Sequence, residues 1–182
     1  MKRSFAIAFS IALSFTLVPE FGRYRGEHRL YQATAWFRAM LDDNSGFDRP
    51  EIFKATLTSA TEATDAITGD SRPLILSGSL FLFAEQPANA LAFYRRALAL
   101  GERPEIDLNI GRAYEMTGDR VSASAAILRA AWINPLIVSS LPENVQAAVQ
   151  AAIAQNEELL REGRLLAPPP LPQQDFRWSR SE

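Results

Sequence analysis

The chain has no cysteine, a single histidine, and no clear alternating run that reads as a strand. Without cysteine there is no disulfide framework, no thiolate metal site and no thiol nucleophile. That is compatible with the periplasm. His28 sits between Glu27 and Arg29 with no nucleophile placed near it by any sequence pattern. It therefore reads as a surface residue rather than a general base. No Gly-rich loop follows a strand, so a phosphate-binding turn has no support. A metal would need oxygen ligands alone, and Asp42-Asp43-Asn44 lacks the spacing of a calcium loop. The other acidic pair, Glu157/Glu158, falls on an outer helix face, where solvation is the default. No catalytic residue, metal ligand or cofactor is expected, and the chain reads as a non-enzyme. A helical hydrolase with an unrecognised acidic site is the remaining catalytic alternative. Charge of one sign is also scarce: a net charge of −2 gives no electrostatic reason to expect nucleic acid.

What is present points to packed helices. At 182 residues and 47% apolar, the chain can bury one sizeable core and still carry appendages. Its organising stretch runs from Ser71 to Pro135, where one helical-hairpin pattern is written twice. The first copy holds Gly78, Phe81, Ala90, Tyr94 and Ala97; the second holds Gly111, Tyr114, Ala123, Ile127 and Ala130. Each residue of the first lies 33 positions before its counterpart in the second. A fixed period of this size is the mark of stacked repeats, each too small to bury its own apolar face.

These residues resemble the tetratricopeptide repeat. That family places a small residue and a large aromatic on the first helix of a hairpin, then Ala, an aromatic, Ala and Pro on and after the second. A small residue is needed where the two helices cross closely, and an aromatic three positions on fills the space beside it. Asp107 to Tyr114 is the best-matching segment, with Thr117-Gly118-Asp119 as its tight turn and Pro135 as the stop. Three departures stand out. Asp107 takes a place usually given to a large apolar residue, Ser77 takes one where Leu is common, and Glu85-Gln86-Pro87 replaces a Gly-containing turn.

The flanks read as follows. Lys2 and Arg3 precede an apolar run from Phe5 to Val18, and Pro19-Glu20-Phe21 is expected to end it, so residues 1–21 form a secretory signal or a membrane anchor. The run of about 14 residues is short of the ~20 that a spanning helix prefers, and a buried core helix is the third reading. Arg23, Arg25 and Arg29 on its far side weaken an orientation argument based on Lys2 and Arg3. Residues 27–70 read as a helical hairpin, a possible degenerate repeat. Its apolar faces are Leu30, Ala33, Trp36, Phe37, Met40 and Leu41, then Phe53, Leu57, Ala60, Ala63, Thr64 and Ile67. Residues 71–137 hold the two clear hairpins, and 138–164 a capping helix. Ser140 and Glu143 have capping-box spacing, and Val145, Val149, Ala152, Ile153, Asn156 and Leu160 share one face. Residues 165–182 form a Pro-rich extended tail. Its Phe176 and Trp178 are either a docking motif or fold back on the domain's own surface.

The expected fold class is therefore all-α: an α-solenoid of tetratricopeptide-like hairpins with a C-terminal cap and an N-terminal hydrophobic anchor or signal helix. The resemblance implies that the first helix of each hairpin lines a concave groove. The implied contacts are Arg72, Ile75, Ser79, Leu82 and Phe83, then Glu105, Leu108, Arg112, Glu115 and Met116. Arg112 is the candidate to hold an acidic or backbone group. The family's carboxylate clamp is not reproduced, because Ile75 and Ser79 stand where its Lys and Asn belong. The implied function is a non-catalytic scaffold or adaptor of the bacterial cell envelope that binds a protein or peptide partner. It would be anchored in the inner membrane facing the periplasm, or secreted there. A structural subunit of a membrane complex, using the helices as a permanent interface, is the alternative.

Overall fold

The computed structural model describes residues 2–42 and 49–164, with side chains described from residue 20 onward. The described residues are all-α and contain no strand. Seven α-helices follow in order: α1 (Lys2–Asp42), α2 (Pro50–Ala66), α3 (Ser71–Phe83), α4 (Pro87–Leu100), α5 (Pro104–Thr117), α6 (Arg120–Ile133) and α7 (Glu143–Arg161). A 3-10 helix, Pro135–Ser140, links α6 to α7. Pro50, Pro87 and Pro104 stand in the first turns of α2, α4 and α5, where a missing N–H leaves no bond unmade. The tail at 165–182, with Phe176 and Trp178, and residues 43–48 lie outside the described residues.

One expectation fails at once. Pro19-Glu20-Phe21 does not end the N-terminal segment, because α1 continues without interruption to Asp42. A proline inside a helix forfeits one hydrogen bond and crowds a carbonyl, at about 3 kcal/mol. Helical turns continuing on both sides are enough to carry the chain across it. Among the described residues no helix is long and apolar enough to cross a membrane.

The chain divides into two compact units, Met1–Leu80 and Phe81–Glu182. In the first, α1 and α2 pack as a pair. Leu30, Ala33, Met40, Ala60, Ala63, Ile67, Leu76 and Leu80 form the core, with Phe37, Phe53 and Leu57 at its edge. The pair is drawn tight at Gly26. A β-carbon there would come 2.7 Å from Ala66 Cβ and 2.8 Å from Ile67 Cγ1. Trp36 and Leu41, expected on the inner face, are exposed instead. The stripe Gly26, Leu30, Ala33, Phe37, Met40 advances at alternating steps of four and three and leaves Trp36 on one flank and Leu41 on the other. Thr56 is fully buried and donates its hydroxyl to the Ile52 carbonyl at 2.7 Å.

In the second unit α5 packs on α4 and α6, and α6 packs on α7 and the 3-10 helix. Its core holds Leu108, Ile127, Ala130, Ala131, Val138, Leu141 and Val149, edged by Leu128, Ile137, Val145 and Ile153. At the α5–α6 crossing a β-carbon on Gly111 would come 2.6 Å from Ile127 Cγ1 and 3.2 Å from the Ala123 carbonyl oxygen. The small residue thus stands where the hairpin needs it. The expected capping box at Ser140 does not form. The Ser140 hydroxyl donates to Ile137 of the 3-10 helix, and α7 begins at Glu143 after Pro142.

The 33-residue period is visible in the backbone. The starts of α3 and α5, the starts of α4 and α6, and the ends of α4 and α6 are all offset by 33. The turns repeat as well. Gly118 is left-handed at φ 79°, and Glu85, 33 positions earlier, is left-handed at φ 56°. In one turn Gly118 N–H donates to Glu115 and Asp119 N–H to Tyr114; in the other Glu85 N–H donates to Leu82 and Gln86 N–H to Phe81. The turn lacking glycine therefore adopts the same shape, against the steric cost of a left-handed L-residue.

Glu85→Gly should raise stability by about 0.5–1 kcal/mol, because relief of the left-handed conformation outweighs the entropy that glycine adds to the unfolded chain. Gly111→Val should lower it by about 3 kcal/mol through overpacking against Ile127. Urea denaturation of the two variants beside the parent chain checks both directions.

Candidate partner-binding groove

The residues expected to line a groove separate on inspection. Arg72 is engaged within the first unit. Its guanidinium donates to Asp70 at 2.6 and 2.8 Å and to Glu27 of α1 at 2.8 Å. These carboxylates hold its pKa above the usual arginine value, through the Asp70 hydrogen bonds first and Glu27 second. Arg72 is thus a tie between α1 and the start of α3. Ile75, Ser79, Leu82 and Phe83 are half-buried. Leu108 is a correction: it lies in the α5–α6–α7 core and faces inward, so it offers no partner contact. Glu105 pairs with Arg103 at 2.6 Å. Arg112, Glu115 and Met116 are exposed on α5, and the Arg112 guanidinium donates to Asn109 at 3.1 Å.

A concavity of the second unit lies beside Glu115, between α6 and α7. It is about 600 Å³ and mainly apolar. Ala123, Ile127 and Leu128 of α6 face Val145, Val149 and Ala152 of α7 across it, with Glu115, Arg120 and Asn144 as polar lining. Of the expected groove residues, Glu115 alone contributes to it. Its origin is compositional. Ala123, Ser124, Ala148 and Ala152 are too small to fill the space between two helices held apart by the larger residues nearby. The alanine-rich stretches of α6 and α7 are the signal in the sequence that points to this opening.

A charge cluster bridges the start of α5 to the C-terminal half of α6, at the other end of the hairpin from Glu115 and Arg120. Glu102, just before α5, receives both Nε and Nη2 of Arg129 on α6, at 2.6 and 2.7 Å. This lowers the Glu102 pKa, chiefly through the Arg129 hydrogen bonds. Asp107 lies beside them in α5 with no exposed surface, and neither of its carboxyl oxygens has a hydrogen-bond partner. Burial first, and the Glu102 charge second, push its pKa up to about 7; Arg129 pulls the other way. A protonated Asp107 can donate toward Glu102, whereas an ionised one adds a second negative charge beside it. Its perturbed carboxyl bears on stability through burial and the Glu102 charge. Tyr114, one helical turn past Gly111, is held by a 3.4 Å contact from the Arg95 guanidinium, and burial raises its pKa.

No protein-family profile, no curated protein and no solved structure matches this chain.

The Asp107 shift has a definite sign. Because the folded-state pKa is raised, the stability it contributes is full below the unfolded value near 4 and is lost as pH rises toward 7. Asp107→Asn, which keeps the shape of the protonated acid and can donate to Glu102, should remove this slope. It should also raise stability at pH 8 by about 2 kcal/mol, the order of the penalty for a buried group without a partner. Thermal unfolding of both proteins from pH 4 to pH 8 measures the difference.

Proposed function

We propose that this protein is a non-catalytic helical scaffold of the bacterial cell envelope, a tetratricopeptide-like α-solenoid that holds an extended segment of a partner protein. The observation that carries this reading is the apolar groove between α6 and α7, bounded at one end by Glu115 and Arg120. Its size suits a few apolar side chains of a peptide, and the polar groups at its end suit peptide backbone or a charged flank. The 33-residue period of helices, turns and buried small residues supports the solenoid reading. The basic start and apolar run before residue 20 support membrane association and an envelope location.

A second reading is favoured by a different observation. Val121 and Leu136 are 82% and 81% exposed, and Ile133 is 40% exposed. Apolar side chains left in water suit a permanent interface within a membrane complex. A subunit of that kind is unstable when isolated, whereas an adaptor is monomeric and exchanges partners.

Crosslinked capture from native envelopes tests the groove. Ala148 is exposed on α7 at the groove wall, so Ala148→Arg fills the opening without disturbing the core. It should cut partner capture by about tenfold or more, the loss expected when a charge meets an apolar anchor. Arg112→Glu reports separately on the open face of α5. Unchanged capture by both variants removes the groove from consideration.

A further inference from the structure

Helix α1 has two apolar faces, and the core uses one of them. Gly26, Leu30, Ala33, Phe37 and Met40 face α2. On the opposite side Phe21, Tyr24, His28 and Tyr31 follow one another at spacings of three, four and three, the period of a single helix face. The three aromatic rings are 63%, 68% and 75% exposed. Rings of this size left in water forfeit the burial that normally stabilises them, so a face carrying three is built to meet something. Arg25 is exposed beside them, and its guanidinium lies 6.0 Å from the centre of the Phe21 ring.

We propose that this outer face of α1 rests on an anionic bilayer, with Phe21, Tyr24 and Tyr31 in the headgroup region and the helix lying along the membrane rather than through it. The proposal builds on the membrane association of the N-terminal run and adds which face of the folded chain meets lipid. Three observations select lipid as the occupant. Tyrosine and arginine each join an apolar body to a polar tip, the chemistry of the zone between acyl chains and water.

The second observation is charge. Helix α1 holds Lys2, Arg3, Arg23, Arg25, Arg29 and Arg38 against Glu20, Glu27 and Asp42, in a chain whose net charge is −2. A basic helix on an otherwise acidic body turns that helix toward an anionic surface and the body away from it. Length is the third. The Phe5–Val18 run belongs to the same unbroken helix, and as a helix it is only about 21 Å long, short of the ~30 Å hydrocarbon thickness. An apolar run too short to span, continued on the same helix by an aromatic and basic face, suits the interface plane.

The absence of cysteine makes the test direct, because a single engineered thiol carries the only spin label. Ala35→Cys places the label on the outer face, one helical turn beyond Tyr31, and Lys54→Cys places it on the exposed side of α2. Each full-length protein is mixed with vesicles of phosphatidylglycerol and phosphatidylcholine, and collision of the label with dissolved oxygen is measured. The expected result is a several-fold rise at Ala35→Cys, little change at Lys54→Cys, and weaker binding to vesicles of phosphatidylcholine alone. Replacing both rings, Tyr24→Ser with Tyr31→Ser, should weaken vesicle binding by about tenfold through lost interfacial area. A label at Ala35→Cys that stays in water on vesicle-bound protein would overturn the face while leaving the N-terminal run as the membrane contact. Equal binding to neutral vesicles would overturn the charge argument. No association with either vesicle would overturn the membrane reading as well.

Discussion

Gly111 has no room for a side chain, because the Ile127 side chain and the Ala123 carbonyl of α6 occupy the place a β-carbon would take. This contact fixes how closely α5 and α6 approach, and the second unit is arranged around it. Leu108 and Ile127 meet in the core on one side of the crossing. On the other, the α5–α6 turn closes through Gly118 in a left-handed conformation. A hairpin locked at its crossing and at its turn has little freedom to change its angle, so whatever packs on α6 meets a fixed surface. In the first unit Gly26 serves the α1–α2 pair in the same way, against Ala66 and Ile67. Both units therefore obey one rule: a helix pair closes where one partner carries hydrogen in place of a side chain.

The groove follows from the same preference for small residues, with the opposite outcome. Between α5 and α6 a small residue lets the backbones approach until the gap is gone. Between α6 and α7 the small residues Ala123, Ser124, Ala148 and Ala152 lie among Leu128, Val145, Val149 and Ile153, which keep the helices apart. The 3-10 helix Pro135–Ser140 spaces α7 from α6 as well, with Val138 and Leu141 filling the base of the seam. The remaining opening is apolar, and its charged residues sit at the α5–α6 end. At the opposite end of the α5–α6 hairpin the Glu102–Arg129 pair bridges the α5 entry to α6, and Asp107 beside it makes that end sensitive to proton concentration.

Helix positions were legible in the sequence because the signals were local and redundant. Thr117-Gly118-Asp119 marked the turn after α5, where Gly118 is left-handed, and Pro135 marked the stop of α6. The period linking Gly78 to Gly111 and Ala90 to Ala123 gave the hairpins their register. Glu85 was legible only as a departure, since no propensity rule assigns glutamate the conformation it adopts. The groove was less legible. Assigning contacts by helix position placed Leu108 outward, although its face of α5 is the one that meets α6 and α7. The Arg72–Glu27 pair was not legible because Glu27 lies 45 residues away, a distance that no local pattern spans. The outer face of α1 hid behind its own apolar run: Pro19 suggested a boundary, and the aromatic spacing emerges only when the helix is followed across it.

Native-state hydrogen exchange on the full chain, read amide by amide, tests the closed hairpin and the looser seam together. If α5 and α6 are sealed at Gly111, the amides of Gly111, Ile127 and Ala130 should exchange slowly with one common free energy, and those at the start of α7 should exchange faster. Separate opening energies for α5 and α6, or stronger protection of α7 than of α6, would contradict the account.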